Sequence, residues 1–584
     1  MEREKQKSIM RNMKKTIFLF LLVFLFGCNG KKSFKEISLD RYRDKMKAAW
    51  IGQMAGVGWG LPTEFDYVDR IIPKEEVPEW TPEMVNQQGN DDLYVEMTFL
   101  SSMEQYGTGV SYRLAGIDFA NTGYGLWAAN RAGRENLRSG IAPPESGHPH
   151  YNSHCEDIDY QIEADYSGII APGMPNIPIR LGEKFGRMMN YGDGMYAGQF
   201  VGGMYSAAYF TDDIHEIIHE GLKCIPEQCN YAACVRDVIG WHREYPDQWE
   251  KCWEQIMDKY FRTLEHQPFH RQNSEAWVGI DAKINGAFIV LGLLYGNGDM
   301  DSTIVLSMRC GLDSDCNPSN AAGILATTMG FENLPEKFKS GLDNERNFSY
   351  TEYNFNDLLE VSESFTCEFV LQEGGKIEKD EKGGEIFHIR SSRPVPSLFE
   401  PAYDSGEHDP SNRYDEMEMS RILAYSHRDF VPLLETVASG WNIYHAGKKS
   451  ELRLVEYEDM EDVLVLSPMS EKRGALLEYT REEEDDGGVD QTGSGSGSGV
   501  LSFCVNAEEG KPWNLSLRMN TPGGRILVEE TIDHSTGQDW KKYEIPFDFE
   551  GGQVPRIRLN IQPGEDSGLN RAYIAGLSVE LDNS

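Results

Sequence analysis

GLDSDCNPSNAAG, Gly311 to Gly323, is the stretch that decides the fold. Asn317 can cap a helix that has Pro318 at its first position, where the missing proline N–H is not needed. Tyr191 to Phe210, rich in Gly and Ala, suits a helix packed closely among others at the centre of a helical domain. Capping leaves Asp313 and Asp315 unexplained. Side chains at i and i+2 of a curved loop can both turn inward, and Asp-x-Asp supplies the hard oxygen ligands that Mg²⁺ or Mn²⁺ requires.

Two earlier segments complete the pattern. In GNDDLYVEMTFL, Gly89 to Leu100, the triplet Asn90-Asp91-Asp92 immediately precedes an apolar-periodic run. Capping and the helix macrodipole account for one or two of these residues. In GVGWGLPTE, Gly56 to Glu64, a glycine-rich helix end is stopped by Pro62, which leaves Glu64 either merely solvated or chemically used. Should the two carboxylate pairs converge, repulsion would push their pKa values up, and a bound cation is the economical remedy.

The glycine turn with its Pro and Glu, the Asn-Asp-Asp helix start and the late DSDCN-x3-AAG segment, in this order and spacing, resemble the ADP-ribosylglycohydrolase family. The resemblance covers roughly residues 40 to 345. It implies an all-α domain that holds one or two Mg²⁺ (or Mn²⁺) ions, with ribose hydroxyls on the ions and water attacking the anomeric carbon. Residue by residue, it implies that Asp91, Asp92, Asp313 and Asp315 are metal ligands, with Asn90 and Cys316 at the two further ligand positions. Glu64 and Asp92 are the implied catalytic carboxylates. Asn90 and Cys316 stand where the family usually has Ser or Thr; an Asn carbonyl oxygen can replace a hydroxyl, whereas Cys sulfur is a poor partner for Mg²⁺. Val57 stands where Asp is common.

IEADYSGIIAPG places Glu163 and Asp165 beside a turn where the family lines its substrate cleft, so both are expected to bind substrate. His148, His150 and His154 beside Cys155 have ligand-like spacing, but PPESGHPHYNSHCED is read as a polar lid or substrate loop. Cys224, Cys229 and Cys234 are read as helix-core residues.

At 584 residues the chain exceeds the ~250 to 300 residues that one core can organise, so several domains are expected. Its 40% hydrophobic content excludes a disordered chain, and its net charge of −38 repels phosphate backbones, which argues against nucleic-acid partners. Met13 to Cys28, MKKTIFLFLLVFLFGC, has two lysines before an apolar run too short to span a bilayer. It is read as a bacterial lipoprotein leader, residues 1–27, with Cys28 lipidated, 28–37 as a tether, and the protein anchored to a membrane facing the periplasm or the cell surface.

The remaining organisation is expected as a helical catalytic domain over 38–360, a strand-bearing appendage over 361–438 that includes CEFVLQ and EIFHIRS, and a β-sandwich over 439–584. The sandwich signature is a series of short strands from VLVLSPM to IAGLSVEL at turn-rich spacing, interrupted by an acidic run and GSGSGSG. It resembles a galactose-binding-like jelly roll, with Trp513, Trp540 and Tyr543 as a candidate sugar-stacking platform. The expected substrate is a small molecule or glycan carrying a ribosyl or other furanosyl N- or O-glycoside. The rival expectation is a glycan-binding lipoprotein whose hydrolase domain has decayed.

Overall fold

The computed structural model describes residues 33–273, 277–470, 474–480, 497–521, 526–534, 539–549, 554–564 and 568–582. The leader, Cys28 and the acidic run at 482–486 lie outside the described residues.

The helices that build the site are α1 (Leu39–Gly60), α2 (Asp91–Tyr106), α3 (Ala128–Arg138), α4 (Asp193–Ala208), α5 (Ala282–Tyr295), α6 (Cys316–Met329) and α7 (Phe355–Gln372). Every residue of α4 and α5 is buried, as is all of α6 except its last residue. A helix apolar all round belongs at the centre of a large core. The glycines and alanines of α4 serve that position: a Cβ on Gly198 would meet the Tyr160 ring at 2.4 Å and one on Gly202 the Ser167 hydroxyl at 2.3 Å.

Around this core a three-stranded antiparallel sheet is formed by β1 (Phe34–Ser38), β2 (Lys376–Lys379) and β3 (Glu385–Arg390), in the order β1-β3-β2. Two sequence expectations change here. CEFVLQ is not a strand but the last turns of α7: Asn354 and Asp357 form a capping box, and Phe355, Leu358, Val361, Phe365 and Phe369 recur at helical spacing on the buried side. The end of the expected tether, 34–37, is strand β1, held by pairing with β3.

The C-terminal strands are β4 (Trp441–His445), β5 (Val455–Tyr457), β6 (Met460–Leu466), β7 (Ala475–Tyr479), β8 (Gly497–Ala507), β9 (Trp513–Asn520), β10 (Ile526–His534), β11 (Lys541–Phe549), β12 (Arg556–Pro563) and β13 (Ala572–Asp582). They form two antiparallel five-stranded sheets, β10-β9-β12-β7-β4 and β11-β8-β13-β6-β5, with repeated crossings between sheets as in a jelly roll. Alternation sets the faces: Ile557, Leu559 and Ile561 point into the sandwich core, and Arg556 and Arg558 point out.

The expected stacking platform does not form. Trp513 is fully buried in that core, Trp540 donates its indole N–H to the Tyr457 and Glu458 carbonyls, and Tyr543, on the other sheet from Trp513, stacks on Phe503. The sandwich is instead clasped to α3. Arg138 donates to the carbonyls of Ala120 (2.8 Å), Thr122 (2.8 Å) and Tyr444 (2.7 Å), so one guanidinium ties β4 to the helical domain. His427, just ahead of β4, faces Glu135 at 3.6 Å.

Candidate active site

Gly52, Gly56 and Gly60 lie on one face of α1 at intervals of four. A Cβ at these positions would sit 2.6 Å from the Ala322 carbonyl oxygen, 2.2 Å from that of Pro318 and 2.0 Å from that of Ser314. Hydrogen in place of a side chain therefore lets α1 lie directly on the start of α6 and the loop before it. Past Gly60 the chain is stitched to that loop. The Thr63 and Ser314 hydroxyls are 2.8 Å apart, Phe65 N–H donates to Leu312 O at 2.9 Å, and Leu312 N–H donates to Tyr67 O at 3.0 Å. Phe65, which follows Glu64, and Leu312, which precedes Asp313, have φ of 54° and 56°. Side chains rarely adopt this left-handed conformation, and here it aims two carboxylates into one cleft.

α2 brings the second pair. The Asn90 carbonyl oxygen accepts from Asp92 N–H at 3.0 Å, which fixes Asp91 and Asp92 in the first turn. Across the cleft Asn90 Nδ2 is 3.5 Å from Asp315 Oδ2, and the Cys316 thiol donates to Asp92 Oδ1 at 3.1 Å. Asp313, Asp315 and Cys316 each offer a ligand atom within 4.8 Å of the others.

The electrostatics follow from this crowding. Burial, then the charge of Asp315, pushes Asp91 up to about 6 and raises Asp92 and Asp313 well above the ordinary carboxylate range. Glu64 is raised by Asp315 first and by burial second, and it feels Asp91 and Asp92 as well. Its side chain is solvent-exposed, unlike Asp92, Asp313 and Asp315, which are buried. Among the described residues no Lys, Arg or His forms an ion pair with Asp91, Asp92, Asp313 or Asp315, and the buried Asp92 Oδ2 has no hydrogen-bond donor. A buried all-oxygen donor set without a cationic side chain fits a hard divalent cation. Cys316 stands with Asp313 and Asp315 at its expected ligand position, and its thiol donates to Asp92 Oδ1; burial and the carboxylates around it push its pKa up.

Glu163 is brought to this group and Asp165 is not. Glu163, fully buried, accepts from Asn130 and is raised by burial and by Asp159, Asp91 and Asp92. Asp165 lies beneath the cleft, bonded to the Tyr205 hydroxyl and to Asn320 Nδ2 at 2.6 Å, where it supports α6 from within the core. The sequence reading missed Asp159, which accepts from the N–H groups of Ala129 (3.2 Å) and Asn130 (2.8 Å) and so fixes the start of α3. It is pushed up to about 7 by burial and by Asp157. Nothing in the local pattern separated it from an ordinary polar loop residue.

The histidine segment forms no common centre. His150 stacks on His408 at 3.6 Å, His154 Nδ1 lies 2.7 Å from Asp157, and Cys155 packs with Tyr191 and Phe269. Cys224, Cys229 and Cys234 are buried, free thiols. A cavity of about 560 Å³ lined by Thr108, Tyr112, Leu181, Lys184, Arg187 and Phe369 contains none of the clustered carboxylates.

The site's order along the chain, its helical frame and its carboxylate convergence coincide with a family match. Residues 38–369 match the family model of the ADP-ribosylglycohydrolases, and the chain belongs to that family. It is a hydrolase of the glycosidase type. Among solved structures, an ADP-ribosylglycohydrolase-related protein complex is similar at 12% identity, covering 56% of this chain and 97% of that one, with a TM-score of 0.33. A CBM4 structure is similar at 11% identity over 22% of this chain and 77% of its own, with a TM-score of 0.15. An arabinose-bound α-L-arabinofuranosidase is similar at 10% identity over 24% of this chain and 23% of its own, with a TM-score of 0.12. Likenesses of this size say nothing about substrate. No curated protein sequence matches the chain. Among the described residues no helix is long and apolar enough to cross a membrane.

Proposed function

We propose that the protein is a metal-dependent glycoside hydrolase that cleaves a ribosyl or other furanosyl N- or O-glycoside, and that it works outside the cytoplasm on a membrane anchor at Cys28. The observation that carries the catalytic reading is the convergence of Glu64, Asp91, Asp92, Asp313 and Asp315 on one cleft without a cationic partner for the four aspartates among the described residues. Asp91, Asp92, Asp313 and Asp315 are the residues that would hold Mg²⁺ or Mn²⁺, with the Asn90 amide beside them. When bound, such an ion would orient sugar hydroxyls and lower the pKa of a water bound to it.

Glu64 is the solvent-exposed carboxyl of this group, and Asp315, then burial, raises its pKa, which strengthens it as a proton acceptor. It is placed to orient a water and to take its proton as that water attacks the anomeric carbon. The glycosidic C–N or C–O bond breaks, its electron pair leaves with the departing nitrogen or oxygen, and that atom is protonated by Glu64 or by solvent water. Asp92 fixes the opposite wall through its bonds to Asn90 and Cys316. Glu163, tied to Asn130 and close enough to feel Asp91 and Asp92, is the proposed substrate-binding carboxyl. The leader reading supports export, which places the substrate among glycosides available beyond the cytoplasm.

The test is to incubate the purified protein, with MgCl₂ or MnCl₂, with ADP-ribosyl-arginine, NAD, nucleosides and a panel of furanosides, and to detect released sugar by mass spectrometry. Release that requires both the metal and Glu64 is expected. Cleavage that survives both Glu64→Gln and Asp313→Ala would place the chemistry elsewhere.

A further inference from the structure

The C-terminal sandwich reaches the cleft. Arg556 lies over the indole of Trp127, its guanidinium carbon 5.8 Å from the ring centroid. Gly125, two residues earlier, has the Arg558 guanidinium 3.8 Å from where a Cβ would stand, and its carbonyl accepts from the Tyr94 hydroxyl at 3.0 Å. Tyr94 is one helical turn past Asp91 on α2, so a short chain of contacts links Arg558 to the carboxylate cluster. Tyr350 closes the same corner edge-on to Tyr94 at 5.6 Å. Trp127 and Tyr350 are 40% and 53% exposed, a high value for aromatic rings beside a polar cleft.

The charge pattern on this face needs an explanation. Arg556 and Arg558 share one face of β12, and both turn to a single carboxylate, Glu478, at 3.5 and 2.6 Å. On the other side of Arg558 the directly opposed residue on β9 is Arg518. Like charges facing each other across strands destabilise a sheet. In a chain of net charge −38, a basic cluster at the edge of an acidic cleft is a local inversion of sign. Paired guanidiniums recognise oxyanions through fixed N–H forks, and exposed aromatic faces stack on sugar rings.

We propose that Arg556 and Arg558, with Trp127 and Tyr350, form a substrate subsite for an anionic group (carboxylate, sulfate or phosphate) on the sugar substrate, so that the sandwich completes the catalytic cleft. The inference deepens the glycosidase reading and rests on it for the location of the bond that is cut. Specificity then belongs to two domains: the carboxylates hold the sugar that is cleaved, and β12 selects a substrate by its negative charge.

The experiment is isothermal titration of the full chain in MgCl₂ with sodium glucuronate, inorganic sulfate and inorganic phosphate, with neutral glucose as control. The anions are expected to bind and glucose not, and the tightest of the three identifies the substituent. Arg556→Gln, at a position 39% exposed and only loosely paired, is expected to weaken anion binding about tenfold or more with its Tm and Mg²⁺ affinity unchanged. Arg556→Lys should retain part of the binding. Equal binding by Arg556→Gln and wild type, or anions binding no better than glucose, overturns the proposal. Absence of Mg²⁺ binding together with Arg556-dependent anion binding would sink the metal reading and leave the subsite standing.

Discussion

Replacing Asp315 with Asn should stabilise the metal-free protein and abolish its response to Mg²⁺. Asp315 is the charge that acts on all the others: it is the largest cause of the raised Glu64 carboxyl and the largest Coulombic one for Asp91, Asp92 and Asp313. Asp313 and Asp315 bring oxygens within 4.8 Å. At that spacing and an effective dielectric constant of about 20, two full charges repel by about 3 kcal/mol. Partial protonation relieves some of this, so a net gain of about 2 kcal/mol, or about 3 °C in Tm for a domain of this size, is expected for the variant at pH 8.

The sign with pH is set by the direction of the shifts. Each raised carboxyl binds its proton more tightly folded than unfolded, so its contribution is full below the unfolded value near 4. It is lost as pH rises through the folded value, about 6 for Asp91, with Asp92, Asp313 and Glu64 raised in the same direction. Metal-free wild type should therefore lose stability from about pH 5 to pH 8, and Asp315→Asn should lose less. Millimolar MgCl₂ should restore the wild type, by about 2.7 kcal/mol once the ion is a hundredfold above its Kd, and leave the variant unmoved. Thermal melts followed by circular dichroism, in EDTA and in MgCl₂ at both pH values, decide the matter. A variant that melts below wild type in EDTA at pH 8, or that keeps the full Mg²⁺ shift, would refute the reasoning.

Glu64→Gln should abolish sugar release without lowering the Tm at pH 8, because it removes a carboxyl whose charge Asp315 opposes; product release and a melt check both halves. Gly56→Ala should cost about 3 kcal/mol or more, since its Cβ would meet rigid backbone at 2.2 Å, and should weaken Mg²⁺ binding by displacing the loop at 312–315. A Gly56→Ala protein with wild-type Tm and Mg²⁺ affinity would show that the α1–α6 contact does not set the site. Cys28→Ala should move the protein from the membrane to the soluble fraction on cell fractionation; unchanged partition would remove the anchor.

Sequence periodicity and turn chemistry determined the elements whose signals are local. The helical run, the Asn90 cap, the jelly-roll strands and the three motifs are all written within a few residues of themselves. Local β-formers misled at CEFVLQ, because the capping box at Asn354 and the burial of Phe365 and Phe369 prevail over strand propensity. Motif order placed Glu64, Asp91, Asp92, Asp313 and Asp315 in one site through the family resemblance. Only the tertiary structure showed how they meet: three glycines of α1 remove the Cβ atoms that would hold α6 away. Packing also decided between residues of the same type, for Glu163 and Asp165 read alike in the chain, yet Glu163 lies near enough to feel Asp91 and Asp92 while Asp165 is bonded to Asn320 of α6. The arginines of β12 carried no signal at all, because alternation says that a strand residue points outward and cannot say what stands opposite. Whether such a residue meets water or a cleft depends on how two domains dock, and here Arg138 with Tyr444 and Glu135 with His427 settle it across 306 and 292 residues of sequence.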